Sequence, residues 1–256
     1  MPRGLSDYDS ARIQGRLWTP EVLRPDFWFD AADQSTITIS SGNVTQWNDK
    51  SGNARNLTTA SSYPSYSIEG RNGLNVVTFS GSSLAVTGLS INYTAQSTFG
   101  AFRLGSYPLY ARVWTQSDAG IDFSTSGAYI PIVSGPATPT WCSYTTNFES
   151  QISLTDGAWC IFSSVHNGAV LRNAANGVLA AQASATLSKT FTRFGMTDSF
   201  SGATVPFSGD YGELVVLPTG GVTRDRVLVE GYLSWKWAIP LAANHPFANR
   251  PPLIGD

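Results

Sequence analysis

Apolar residues along this chain fall in short runs separated by Gly, Pro, Asn, Asp and Ser, the pattern of strands joined by tight turns. Phe27, Trp28 and Phe29 read as a buried strand. Residues 36–39 and 44–47 flank Ser40-Ser41-Gly42-Asn43, a hairpin-type turn, and 48–53 form a second tight turn whose Asp and Asn side chains can bond local backbone. Residues 57–72 read as polar and irregular, 74–79 as a strand and 84–86 as a short one. Further strands are expected at 98–104, 107–114, 128–133, 141–146, 159–166, 169–172 and 177–183. Asn167-Gly168, between two apolar runs, is the clearest hairpin signal.

One segment has a different period. From Thr223 to Trp237, Leu228, Tyr232 and Trp235 form one stripe at helical spacing, and Val229, Leu233 and Trp237 a neighbouring one. Thr223 is the expected N-cap, Asp225 puts a negative charge in the first turn, and Pro240 ends the helix. Gly231 costs a helix roughly 1 kcal/mol relative to Ala, which predicts close backbone approach to a sheet. An apolar strand, 212–217, and a break at Pro218-Thr219-Gly220-Gly221 precede the helix. Many short strands followed by one helix predict an all-β, two-sheet sandwich with a C-terminal α-helix.

Composition narrows the function classes. Only 13% of the 256 residues are charged while 12% are aromatic, as in a turn-rich sandwich. A net charge of −2 with no basic cluster argues against a nucleic-acid partner. The first ten residues are polar and no apolar run reaches membrane-span length, so the chain is expected to stay where it is made or leave by another route, such as cell lysis. Cys142 and Cys160 read as two buried free thiols rather than a disulfide, and they lack the ligand pattern of a zinc site. Residues 1–25 do not read as sandwich. Arg12, Ile13, Arg16, Leu17 and Trp18 alternate charge with apolar bulk and are the candidate partner-docking residues of an N-terminal arm, a disordered start being the alternative. The expected organisation is that arm at 1–25, one domain at 26–239 and an extended strap at 240–256, where His245 packs or hydrogen-bonds rather than binding metal.

Two sets of residues carry a family resemblance. The first is Trp28-Phe29-Asp30-Ala31-Ala32-Asp33 with Trp47-Asn48-Asp49-Lys50-Ser51-Gly52-Asn53. The second is Tyr211-Gly212-Glu213-Leu214-Val215-Val216, Val229-Glu230-Gly231-Tyr232-Leu233, Lys236-Trp237, His245-Pro246-Phe247 and Pro251-Pro252. In order they resemble laminin-G-like domains of the concanavalin A-like lectin/glucanase fold, over roughly residues 26–252. The resemblance implies a jelly roll, of a kind common in bacteriophage virion proteins and bacterial surface proteins.

The chemistry that this fold can host sets the remaining expectations. Glycoside hydrolysis needs two carboxylates facing one cleft. Here Glu occurs only at 21, 69, 149, 213 and 230, and the spacing of Asp210 and Glu213 predicts opposite faces. There is no Gly-x-Ser-x-Gly elbow, His166 and His245 are the only histidines, and Gly220-Gly221 lacks the Lys-Ser/Thr of a phosphate loop. No catalytic residue and no cofactor are therefore expected. Tyr63, Tyr66, Tyr107, Tyr110, Trp114 and Tyr144 are candidates for stacking on a sugar, with core packing the alternative for each. Because some laminin-G-like domains hold Ca²⁺, Asp118, Asp122 and Asp156 are candidate ligands, with solvated turns as the alternative. Together these features predict a non-enzymatic structural protein of a tailed-phage virion, as head decoration, fibre or tail component. Its expected partners are capsid or tail proteins, further copies of itself (a trimer among the options) and host-surface glycans; a free glycan-binding lectin or adhesin is the alternative.

Overall fold

The computed structural model describes residues 17–59, 61–105, 111–117, 130–134, 140–144, 152–155, 157–184, 189–197 and 208–256. The strands begin with β1 (Phe27–Asp30), β2 (Ile37–Ser40), β3 (Asn43–Trp47), β4 (Leu57–Thr59), β5 (Ser65–Arg71), β6 (Leu74–Ser80), β7 (Leu84–Tyr93) and β8 (Gln96–Leu104). Then come β9 (Ala111–Arg112), β10 (Trp114–Ser117), β11 (Ile130–Ser134), β12 (Thr140–Tyr144), β13 (Ile152–Ser153), β14 (Trp159–His166) and β15 (Val170–Ala175). The last are β16 (Val178–Leu179), β17 (Ala183–Ser184), β18 (Lys189–Met196) and β19 (Ser208–Leu217), followed by the helix α1 (Thr223–Trp237).

All ladders among the described residues are antiparallel. One runs β10-β18-β7-β4-β3-β5-β6-β19-β8-β14-β15-β16, with β1 on β19, β2 on β3 and β17 on β15. A smaller sheet runs β13-β12-β11-β9. The long ladder doubles back on itself, so that the layer of β10, β18, β7 and β3 faces the layer of β19, β8 and β14. Aromatic side chains fill the space between: Phe27 stacks on Phe194 at 4.5 Å, Phe29 meets Trp47 edge-on at 5.8 Å, and Trp114 lies 5.5 Å from Phe162. Each such fully buried ring stabilises the sandwich by about 1.5–3 kcal/mol. The expected all-β sandwich with one helix is the observed fold.

Turn chemistry sets the registers. Ser41 (φ 51°) and Gly42 (φ 80°) are both left-handed and close β2 on β3, while Gly168 (φ 99°) closes β14 on β15 with Asn167 Oδ1 accepting from Ala169 and Val170 N–H. The expectation for 57–72 needs correction: it contains β4 and β5, and β5 turns into β6 through Asn72 (φ 52°) and Gly73 (φ 71°). The strand expected at 84–86 extends to Tyr93, and β18 was not expected at all.

α1 packs on the outer face of the β19–β8–β14 layer, and the C-terminal segment covers it. From Leu228 to Trp237 every residue but Trp235 is buried. Two details of the helix depart from expectation. Val222, not Thr223, occupies the N-cap, and its side chain makes no capping hydrogen bond. Gly231 faces the C-terminal segment rather than the sheet, since a Cβ there would lie 2.7 Å from Phe247 Cβ. The glycine that does face the helix from the sheet is Gly212, whose added Cβ would lie 2.8 Å from the Trp237 ring. At the far end, Arg71 donates to Trp237 O and Ala238 O, and Asn72 Nδ2 donates to Lys236 O, so the β5–β6 turn caps the helix carbonyls.

Residues 17–25 also belong to the folded body. Leu17 bridges to Leu253, Trp18 N–H donates to Pro252 O, and the Trp18 ring, 3% exposed, meets Tyr232 edge-on at 6.3 Å. Residues 240–256 run through successive turns rather than an extended strap, burying Leu241, Phe247 and Ala248.

Candidate functional site

Side chains on the outer face of β19, β1 and β14 meet α1 in a set of buried ion pairs. Glu213 Oε1 accepts from Trp28 Nε1 (2.7 Å) and Tyr232 OH (2.9 Å); Oε2 accepts from Trp237 Nε1 (2.9 Å) and Lys236 Nζ (2.7 Å). Lys236 Nζ also reaches Asp30 Oδ1 at 2.7 Å, and Lys50 Nζ reaches Asp30 Oδ2 at 2.9 Å. Glu230 Oε1 accepts from Ser163 Oγ at 2.6 Å, while Oε2 takes Arg226 at 2.6 Å and His245 Nε2 at 3.0 Å. Because His245 Nδ1 accepts from Phe247 N–H, Nε2 is the protonated nitrogen that donates to Glu230. Burial works to raise the Asp30 pKa, but Lys236 and Lys50 outweigh it and hold the carboxyl below its ordinary value. Burial and the Asp30 charge push the Glu213 carboxyl up, against the pull of Lys236.

The expectation that Asp210 and Glu213 face opposite ways is overturned. Gly212 is a bulge: Tyr211 pairs with Phe102 and Glu213 with the adjacent Ala101, so the strand spends an extra residue between them. Both carboxylates therefore point to the helix side. Asp210 is held there by Thr78 Oγ1 at 2.7 Å and by the Arg103 guanidinium. Glu213 is fully buried beneath α1, with both oxygens engaged. Asp30, Asp210, Glu213 and Glu230 are thus committed to holding helix and sheets together.

A surface groove lies at the other end of α1. Its floor is Val165, Val170 and Arg172 on the outer face of β14 and β15; Leu179 and Gln182 form one wall; Val222, Thr223 and Arg226 form the opposite wall. Its volume is about 180 Å³. Two glycines place that second wall. A Cβ on Gly220 would lie 1.7 Å from His166 O, and Gly221 (φ 84°) packs beside Asn167, so only glycine lets this loop lie on the β14–β15 hairpin. Among the described residues the lining holds two cations and no carboxylate. Arg172 Nε donates to Ala180 O at 2.9 Å, which fixes the guanidinium; its terminal nitrogens have no partner among the described residues. Arg226 spends Nη1 on Glu230. Asn167 uses its amide oxygen on its own turn and its NH₂ has no partner among the described residues, while Val222 and Leu179 are exposed apolar surface beside these donors.

Of the sugar-stacking candidates, Trp114 is fully buried and Tyr66 is tied down, donating to Ala31 O and accepting from Asn75 Nδ2. Tyr63 is 54% exposed, away from the groove. Tyr107, Tyr110, Asp118, Asp122 and Asp156 lie outside the described residues, as do Arg12, Ile13, Arg16 and the side chains of Tyr144 and Cys142. Trp18, expected in a docking arm, is occupied by the chain's own helix. Cys160 is a buried free thiol whose pKa burial pushes up. No group of three or more metal-ligating side chains occurs among the described residues. Nothing in the sequence around Arg172 or Arg226 marks either as part of a site.

No protein-family model matches this chain, and no curated protein matches it in sequence. Solved structures do share its fold. Domain 4 of AbnA, an extracellular arabinanase of Geobacillus stearothermophilus solved with arabinotriose, is similar at a TM-score of 0.57 and 12% identity, over 78% of this chain and 94% of that one. A GH54 α-L-arabinofuranosidase gives 0.60 at 11% identity, over 87% of this chain and 61% of that one. The ligand-binding domain of botulinum neurotoxin serotype D, solved with N-acetylneuraminic acid, gives 0.53 at 10% identity, over 81% and 50%. The chain thus spans nearly all of the arabinanase domain but only about half to three-fifths of the other two. At these identities the likeness is one of fold: a β-sandwich of the kind found in carbohydrate-binding and glycoside-hydrolase chains.

Proposed function

We propose that this protein is a non-catalytic jelly-roll module that contacts glycans and is carried as a structural component of a tailed-phage virion. The observation that carries the non-catalytic part is the commitment of Asp30, Asp210, Glu213 and Glu230 to structural partners. A glycosidase needs one carboxyl free to give up a proton and a second facing the same open cleft. Glu213 and Glu230 instead spend every oxygen on holding α1 in place. Glycan contact is supported by the fold shared with an arabinotriose-bound domain and by a groove that offers guanidinium and amide donors beside apolar surface. The virion reading rests on the resemblance to laminin-G-like modules of phage proteins.

Two measurements test the reading. Mass spectrometry of purified particles should find the chain at a fixed copy number; its absence would move the reading to a free lectin. A glycan array probed with the intact protein should return a restricted set of saccharides, and hydrolysis of any of them would overturn the non-catalytic assignment.

A further inference from the structure

The groove between the β14–β15 hairpin and the start of α1 makes a more specific statement, which rests on the glycan-contacting reading. We propose that it takes an acidic saccharide, a terminal sugar bearing a carboxylate such as a uronic or sialic acid. Among the described residues every charged side chain in the lining is cationic, Arg172 and Arg226, although the chain as a whole carries a net charge of −2. Arg172 lines the groove and is tied by its Nε bond to Ala180 O, which leaves its two terminal nitrogens without a partner among the described residues. The guanidinium fork matches the two oxygens of a carboxylate. Arg226 is steadied by Glu230 behind it, a residue that does not line the groove.

The remaining lining suits a sugar ring rather than a bare anion. Asn167 and Gln182 supply amides and Thr223 a hydroxyl for ring hydroxyls, while Val165, Val170, Leu179 and Val222 supply an apolar surface for the C–H face. A volume of about 180 Å³ is below the roughly 300–1,000 Å³ of sites that enclose drug-sized ligands, which fits one terminal residue rather than an extended chain.

The test is a titration of the intact protein, followed by backbone amide NMR, with four probes: methyl glucuronide, N-acetylneuraminic acid, methyl glucoside and glucose 6-sulfate. At least one carboxylate sugar should shift amides at 167–172 and 222–226, more weakly as salt is raised, and the glucoside should not. Arg172→Gln should weaken that binding at least tenfold. Val222→Asp, at a position 48% exposed, should also weaken it by placing a negative charge at the rim without disturbing the core. Binding of glucose 6-sulfate alone would overturn the carboxylate assignment. Neutral-sugar binding that Arg172→Gln leaves intact would overturn this proposal while leaving the glycan-contacting reading in place. If none of these sugars binds but a glycan array is positive, this proposal alone falls; silence on both ends both.

Discussion

Glu213→Gln is the most informative single change to the buried frame. The glutamine has the shape of the native side chain, so it leaves no cavity, but it exchanges one accepting oxygen for a donating NH₂. Glu213 Oε1 faces the indole N–H of Trp28, and Oε2 faces the indole N–H of Trp237. An indole nitrogen can only donate. Whichever way the amide turns, one end sets a donor against a donor, at 2.7 Å or 2.9 Å in the native geometry. Lys236 loses the Glu213 carboxylate and keeps Asp30. Breaking a buried pair from one side costs about 3–5 kcal/mol, a large part of the roughly 5–15 kcal/mol that holds a typical domain together. Urea denaturation followed by tryptophan fluorescence should show the midpoint falling by about 1–2 M at unchanged slope. A loss under about 1 kcal/mol would refute the account of Glu213 as the post on which α1 is hung.

Other consequences concern the same frame. Gly212→Ala places a Cβ 2.8 Å from the Trp237 ring, which is stacked on Trp159 at 6.1 Å; a cost of about 1–3 kcal/mol is expected by thermal melting, and an unchanged melt would mean that the ring has room to move. Asp30, whose folded pKa is lowered, contributes stability above its unfolded pKa near 3.9 that is lost as pH falls through the lower folded value. Glu213, with its pKa raised, acts with the opposite sign, since its protonation relieves a penalty. Acid titration of stability below pH 4 should therefore be shallower in Asp30→Asn than in the native protein, and an equal slope would remove Asp30 from the account. Val222→Asp supplies the missing N-cap side chain and should stabilise the protein by about 1 kcal/mol, seen as a raised urea midpoint; a lower midpoint would contradict the observed cap.

Local signals in the chain predicted local structure well. Ser41-Gly42 and Asn167-Gly168 are the turns that their φ preferences imply, and the period of Leu228, Val229, Tyr232 and Leu233 marks the helix. Asn72-Gly73 was an equally good turn signal, obscured because β5 on one side of it is largely exposed and polar. β18 was hidden for a different reason. Its register slips between Phe191 and Arg193, so Phe191 and Phe194 both reach the core three positions apart and the alternation that marks a strand is lost. Gly88 (φ 74°) lies in the partner strand β7 opposite that slip, which made the run look like a short strand followed by a loop. The bulge at Gly212 had the same effect on Asp210 and Glu213. Counting residues assigns faces only where the pairing stays in step. The groove was beyond local reading, because Arg172 and Arg226 belong to different elements and meet only where Gly220 and Gly221 lay the loop against the hairpin.

The most direct test of a non-catalytic, glycan-contacting module is to record the amide NMR spectrum of the intact protein with an acidic oligosaccharide, and the saccharide's own spectrum after a day at neutral pH. The account predicts shifts confined to 167–172 and 222–226 and a saccharide that remains whole. Cleavage of the saccharide, or an unperturbed protein spectrum, would contradict it.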